Sequence, residues 1–210
     1  MAPPAHVPAG LTWLIGLVPL PVSVAIALPL CVGWHGAGMV GLLWGLVPAV
    51  FTGVLPHLMD RWVKRHRPEA EPGSGKPLIL VVGSATSLIC GLIIIVAYAA
   101  PRPVIACAAG LFAILVAVAI ASQWRSPTGE RVGWNVSVHA ATSAGAAAIC
   151  WVEFGVAAGL LAGVLASVVA WSRVLVHFLT GGQDGHTGVE AITGALVGAV
   201  VCGLIYLLLR

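Results

Sequence analysis

Charge is what this sequence has least of: Asp, Glu, Lys and Arg together make 8% of its 210 residues, where a soluble domain carries about 25%. That excludes an ordinary water-soluble enzyme. Net charge is only +3, and nearly all of it falls in one loop, so no nucleic-acid partner is expected. Cys31, Cys90, Cys107, Cys150 and Cys202 stand singly in apolar runs, without a C-x-x-C pair or metal-ligand spacing, so neither a disulfide framework nor a zinc site is implied. The carboxylates are too few for a Mg²⁺ cage, and no cofactor is implied. The opening MAPPAHVPAG has no Lys or Arg, and no small-residue cleavage pattern ends the run that follows; the first apolar run is read as a retained helix, not a signal peptide. Internal repeats are missing, and the only linker-like segment is RPEAEPGSGK, 67–76.

Apolar residues fill the space that charge leaves. They make 60% of the chain, the mean hydropathy is +1.04, and the runs suit helices of about 20 residues crossing roughly 30 Å of hydrocarbon, not the short alternating strands of a barrel. Candidate spans run over 11–33, 37–58, 77–100, 103–122, 137–152, 155–178 and 188–209, the fifth being the shortest. The fold class is therefore all-α: a polytopic transmembrane helical bundle of six to seven spans in a single integral membrane domain, 1–210. Its parts are the N-terminal spans (1–58), a basic loop (59–76), the middle spans (77–122) and a C-terminal part (123–210) rich in embedded polar residues. Pro19, Pro21, Pro29 and Pro48 fall inside the first two spans, which are expected to be irregular and peripheral.

With seven spans, one membrane side collects Arg61, Lys64, Arg65, Arg67, Lys76, Arg125, Arg131 and Arg173, leaving Arg102 and Arg210 for the other. The positive-inside rule makes the crowded side cytoplasmic; basic residues kept for catalysis produce the same asymmetry. Three polar clusters also fall there: DRWVKRHRP (60–68), NVSVH (135–139) and WSRVLVHFLTGGQDGHTGVE (171–190). Ionisable groups embedded at span ends are functional candidates by default. Two imidazoles, a carboxylate and an arginine are the parts of a phosphohistidine phosphatase: one His attacks phosphorus, another protonates the departing oxygen, the carboxylate orients the first, and Arg balances the phosphoryl charge.

NVSVHAATSAGAA, then AWSRV, then HTGVEAITGALVG, in that order, resemble the C-terminal half of the type 2 phosphatidic acid phosphatase family, notably its small bacterial members. The likeness covers about residues 120–210 and implies a six-helix phosphatase-like core in a bacterial plasma membrane. By that resemblance His186 is the nucleophile, Glu190 its orienting carboxylate and His139 the general acid, with Ser137, Ser172 and Arg173 as phosphate ligands. Val138 replaces the family's Gly, Glu190 its Asp, and twelve residues separate Arg173 from His186 where the family has five. His177 is nearer, but lacks the Thr and Gly pattern that follows His186. In the family's first motif Arg67-Pro68 supplies the end, while Asp60 stands at the Lys position with Arg61 one place late. Arg61, Arg67, Arg125 and Arg131 are the candidates for that clamp.

Each feature also has a structural explanation. Ser137 suits a helix N-cap, Thr187-Gly-Val-Glu190 a capping box, and Arg173 a snorkelling side chain. Gly194 and Gly198 suit helix packing, RWVKRHR an anchor on anionic headgroups, and Gly181, Gly182 and Gly185 either a turn or a close approach to phosphate. The sequon at Asn135 is discounted as a chance match. Three functions follow. The leading one is a lipid phosphate or prenyl diphosphate phosphatase. The second is a prenyl diphosphate-converting enzyme, a cyclase or transferase whose eight Trp stabilise a carbocation. The third is a catalytically degenerate lipid-binding protein. A coupled transporter has little support, because mid-span charges are nearly missing. The expected partners are the lipid substrate and membrane lipids.

Overall fold

The computed structural model describes residues 21–66, 78–123, 136–182 and 185–210, and every regular element among them is helical. In chain order these are α1 (Pro21–Pro48), a π-helical stretch (Ala49–Val54), α2 (Leu55–His66), α3 (Leu78–Ala97), α4 (Arg102–Gln123), α5 (Val138–Phe154), α6 (Val156–Leu179) and α7 (Gly188–Leu209). Four stretches of the described residues are long and apolar enough to cross a membrane: Pro21–Val63, Arg102–Ala121, Val156–Leu179 and Gly188–Leu209. The chain is an all-helical membrane protein.

The first of these stretches turns back on itself. Ala37 (φ −149°) and Gly38 (φ +58°, ψ −138°) leave helical geometry, and a side chain at Gly38 would be strained in that conformation. Two legs result, packed antiparallel with Gly33 against the backbone of Gly41, Gly45 against Pro29 and Gly53 against Ile26. Pro29 lacks an N–H, which deprives the Ala25 carbonyl of its helical donor. Thr52, on the returning leg, brings its Oγ1 within 3.5 Å of that carbonyl while donating to the Pro48 carbonyl at 2.7 Å. The widened π turn directly follows Pro48. These legs are irregular, as their prolines predict, but the first is not peripheral: Leu28 and Val32 are buried with residues of α4, α5 and α7. Its small glycine contacts let it sit deep.

At the turn, His35 meets Phe154 edge to face at 5.0 Å, and Gly36 lies against Pro103. The turn therefore shares an end of the bundle with the C-terminus of α5 and the N-terminus of α4. The opposite end holds the C-terminus of α2, the N-termini of α5 and α7 and the C-terminus of α6.

α5 is the most enclosed helix. Ala140, Ala141 and Ile149 have no exposed surface, because a run of Ala, Gly and Ser lets neighbouring backbones close in. Every fourth residue from its N-cap forms a ridge of Ser137, Ala141, Gly145, Ile149 and Glu153, and α7 presents a matching ridge of Glu190, Gly194, Gly198, Cys202 and Tyr206. The Ser137 N–H donates to the Glu190 carbonyl at 3.4 Å. A Cβ on Gly194 would lie 2.6 Å from the Ser137 oxygen, one on Gly198 would collide with the Ala141 carbonyl, and one on Gly145 would sit 3.0 Å from Cys202 Cβ. At the far end Tyr206 donates to Glu153 at 2.6 Å. The ridges meet in the same order, so α5 and α7 run parallel. α6 connects them from outside and turns Leu160, Leu161, Val164, Leu165 and Val168 away from the protein, as a lipid-facing helix must.

Gly198→Ala is expected to lower the thermal unfolding midpoint in detergent, because its methyl meets backbone; overpacking of this kind costs about 1–3 kcal/mol. Gly163→Ala on α6, where nothing lies within 4 Å, is the control and should hold or raise the midpoint through helix propensity. Equal midpoints for the two variants would show that the seam tolerates separation.

Candidate functional site

The polar end of the bundle is built by the way α6 stops. Gly181 takes a left-handed φ of +63°, the Gly182 N–H donates to the His177 carbonyl at 2.8 Å, and Thr180 N–H to that of Val176 at 2.9 Å. This is a glycine-based helix stop that satisfies the last carbonyls. The chain then comes back along the helix it has just left. Gly185, at φ +82°, lies where a Cβ would strike the Arg173 carbonyl and the His177 N–H, and the His186 N–H donates to the Arg173 carbonyl at 3.1 Å. Although twelve residues separate Arg173 from His186, α6 runs on to Leu179 and the chain then brings the His186 amide to the Arg173 carbonyl.

α7 begins immediately afterwards. Thr187 is its N-cap: its Oγ1 accepts from the Glu190 N–H at 3.3 Å, and Glu190 Oε2 accepts from the Thr187 N–H at 2.8 Å. The same Oε2 lies 3.7 Å from His186 Nδ1, with both side chains partly exposed. That separation is longer than a hydrogen bond; closing it needs a rotamer adjustment of under about 1 Å, and such contacts commonly tighten only with substrate bound.

Five expected site residues are therefore linked in one chain of contacts. Ser137 N–H meets the Glu190 carbonyl, Glu190 faces His186, the His186 amide meets Arg173, and Arg173 Nε reaches Ser172 Oγ at 3.4 Å. His139 sits on the first turn of α5, its carbonyl accepting from Ser143 Oγ at 2.7 Å. The N-termini of α5 and α7, the positive ends of their helix dipoles, end beside this group, and Arg173 adds a fixed positive charge. Both favour an anion.

The hydroxyls have other work. Ser137 is fully buried, its Oγ accepting from the Ala140 N–H at 3.3 Å, so it caps α5. Ser172 is buried and donates to the Val169 carbonyl at 2.7 Å, which leaves its lone pairs to steady Arg173. The capping box at Thr187 and the packing of Gly194 and Gly198 likewise match the structural explanation of those residues. Arg61 stands apart, because α2 packs on α3 and the π stretch. Arg67, Arg125 and Arg131 lie outside the described residues. Among the described residues, no three His, Cys, Asp or Glu side chains gather in a way that could hold a metal ion.

A second polar group, at the other end, has no counterpart in the motif reading. Glu153 accepts from Tyr206 at 2.6 Å and lies 4.0 Å from Arg210 Nη1, which donates to the Val152 carbonyl at 2.9 Å. Tyr206 is wholly buried. The available signal was a lone Glu at the end of an apolar span, which needs a partner.

No family model, curated protein or solved structure matches the chain. The class shown is that of an all-helical membrane protein; the family likeness rests on the motif residues alone.

Two outcomes test this geometry. In Gly185→Ala the return strand should lift from α6, and hydrogen exchange at the His186 amide should quicken by about tenfold or more, as a lost protecting bond of roughly 1.4 kcal/mol implies. Protection as strong as in the wild type would refute the constraint. Glu153→Leu should destabilise the fold by about 1–3 kcal/mol by leaving the Tyr206 hydroxyl unpaired, whereas Glu153→Gln keeps an acceptor and should lose less; unfolding midpoints in detergent decide.

Proposed function

We propose that this protein is a membrane-embedded lipid phosphatase, a phosphoric monoester or diphosphate hydrolase working through a phosphohistidine on His186. What carries the reading is the pairing of His186 Nδ1 with Glu190 at 3.7 Å, on a strand whose amide is tied to Arg173. A carboxylate on Nδ1 holds that nitrogen protonated and leaves the Nε2 lone pair for phosphorus. As the Nε2–P bond forms, the P–O bond to the lipid or to its remaining phosphate breaks, and His139 donates a proton to the departing oxygen. Arg173 and the helix N-termini balance the phosphoryl oxygens. Water then attacks phosphorus, His139 takes its proton, the P–N bond breaks, and inorganic phosphate leaves.

The substrate class is a prenyl diphosphate or a phospholipid-derived monoester, with its tail among helices of a six- to seven-span bundle and its phosphate at the membrane surface. A bacterial plasma membrane suits the small, motif-divergent chain. The cyclase or transferase reading needs aromatic faces around the substrate. Of the described tryptophans, Trp34, Trp62, Trp151 and Trp171 are exposed, and Trp44 packs against the Ile95 cluster, which favours simple hydrolysis.

Purified protein in detergent, offered prenyl diphosphates and phosphatidic acid, is expected to release inorganic phosphate and an unrearranged alcohol, diacylglycerol or monophosphate. His186→Ala should abolish release, and His139→Ala should slow it by about 10²–10⁴-fold, the usual worth of a general acid. Full turnover by His186→Ala would sink the mechanism. A cyclised or transferred prenyl product would replace it with the second reading, and no turnover from wild type would favour a degenerate lipid-binding protein.

A further inference from the structure

Arg61, one of the four candidates for the phosphate clamp, lies on an exposed face of α2. α2 packs through Met59, against Gly83 of α3, and through the buried Val63. Its opposite face presents Leu58, Arg61, Trp62, Arg65 and His66, residues at i, i+3, i+4, i+7 and i+8 and so a single stripe. An open groove of about 600 Å³ is lined by the last four. Trp62 and His66 stack with ring centroids 4.8 Å apart, and the His66 ring is fixed by Nδ1 at 2.9 Å from the Trp62 carbonyl.

Along the stripe the chemistry changes in the order that a membrane surface does. Leu58 comes first; Arg61 and Trp62 share the next turn, at the end of the apolar stretch, where Trp favours the interface and an arginine stem can snorkel; Arg65 and His66 come last, beyond it. Arg61 and Arg65 are like charges one turn apart, an arrangement that destabilises an isolated helix and that a shared anion reverses. Asp60, the one acidic residue of α2, lies about 100° round from Arg61 by helical geometry. We propose that this stripe is a binding site for the headgroup phosphate of anionic phospholipids of the surrounding membrane, separate from the His186 cluster and independent of its chemistry. The tryptophan–histidine stack shields one side of the headgroup, the arginine pair grips the phosphate bidentately, and the acyl chains run down past Leu58.

The full chain reconstituted in nanodiscs of equal phosphatidylcholine and phosphatidylglycerol, then transferred to detergent, tests this by counting the lipids retained. Wild type should retain phosphatidylglycerol in clear excess. Arg61→Gln with Arg65→Gln should bring the ratio towards unity, at about fivefold per arginine, while His186→Ala keeps it. In wild type alone, raising salt from 0.05 to about 0.5 M should erode the excess, since the groove is open to solvent, which keeps the test decisive whether or not the double variant folds. An undiminished excess in high salt or in a folded double variant overturns the proposal. So does displacement of the lipid by millimolar inorganic phosphate, which would mark a site for the free anion.

Discussion

Everything at the polar end depends on how closely α5 and α7 approach. Two ridges of every fourth residue meet backbone to backbone, with Gly194 under Ser137 and Gly198 under Ala141. Such contact is all dispersion and hydrogen bonding, since lipid supplies no hydrophobic drive between helices. It is also unforgiving of register. A slip of one residue turns a ridge by 100° and sets side chains where glycines now stand. The ends of the seam hold it against such a slip: the Ser137 amide on the Glu190 carbonyl at one end, and Tyr206 on Glu153 at 2.6 Å at the other. A carboxylate at the end of an apolar helix needs a partner, and the Tyr206–Glu153 bond ties the height and rotation of α7 to α5. The position of Glu190 follows from that, and so does where α6 must turn back to deliver His186.

Much of this was legible in the sequence because membrane helices announce themselves by length. The expected spans at 155–178 and 188–209 are the membrane-length helices Val156–Leu179 and Gly188–Leu209, while 137–152 is the shorter helix Val138–Phe154; the turn between the first two legs falls at Ala37–Gly38. Composition misled where it was judged one residue at a time. Prolines marked the first leg as peripheral, yet it packs glycine against glycine on the returning leg and enters the core; a contact between residues as far apart as Gly33 and Gly41, or Pro29 and Gly45, leaves no local signal. The shortest span was the most buried for a related reason, since small side chains weaken a hydropathy signal while strengthening packing. The spacing of four on both helices lay in plain view, but the Gly194–Gly198 pair was the only part of it that a motif reading isolates.

The site residues divide along the same line. His186, Glu190 and Ser137 are set by helix ends, which are encoded locally by Ser, Thr and Gly; Ser172 and Arg173 lie inside α6 and join them because the chain after Gly182 brings the His186 amide back to the Arg173 carbonyl. Arg61 does not join them among the described elements, because its place depends on which helix α2 packs against, and no short motif encodes that. The return strand belongs between these cases. Its glycines at 181, 182 and 185 were visible, but that they lay His186 back along α6 is a consequence of φ values of +63°, +87° and +82°, which the sequence permits without requiring.

Capping and chemistry are not rival accounts of Glu190. A box at a helix start wants a side chain long enough to reach back to the N-cap amide, which Glu does and Asp does less well. Here one oxygen makes that reach to Thr187 at 2.8 Å and is thereby parked 3.7 Å from His186 Nδ1. The length of the Glu side chain lets one oxygen hold the helix start and stand near the imidazole at once. A carboxylate already held by a backbone amide also loses less side-chain freedom when it engages a histidine, so under the proposed chemistry the cap supplies the pre-organisation that an orienting carboxylate needs.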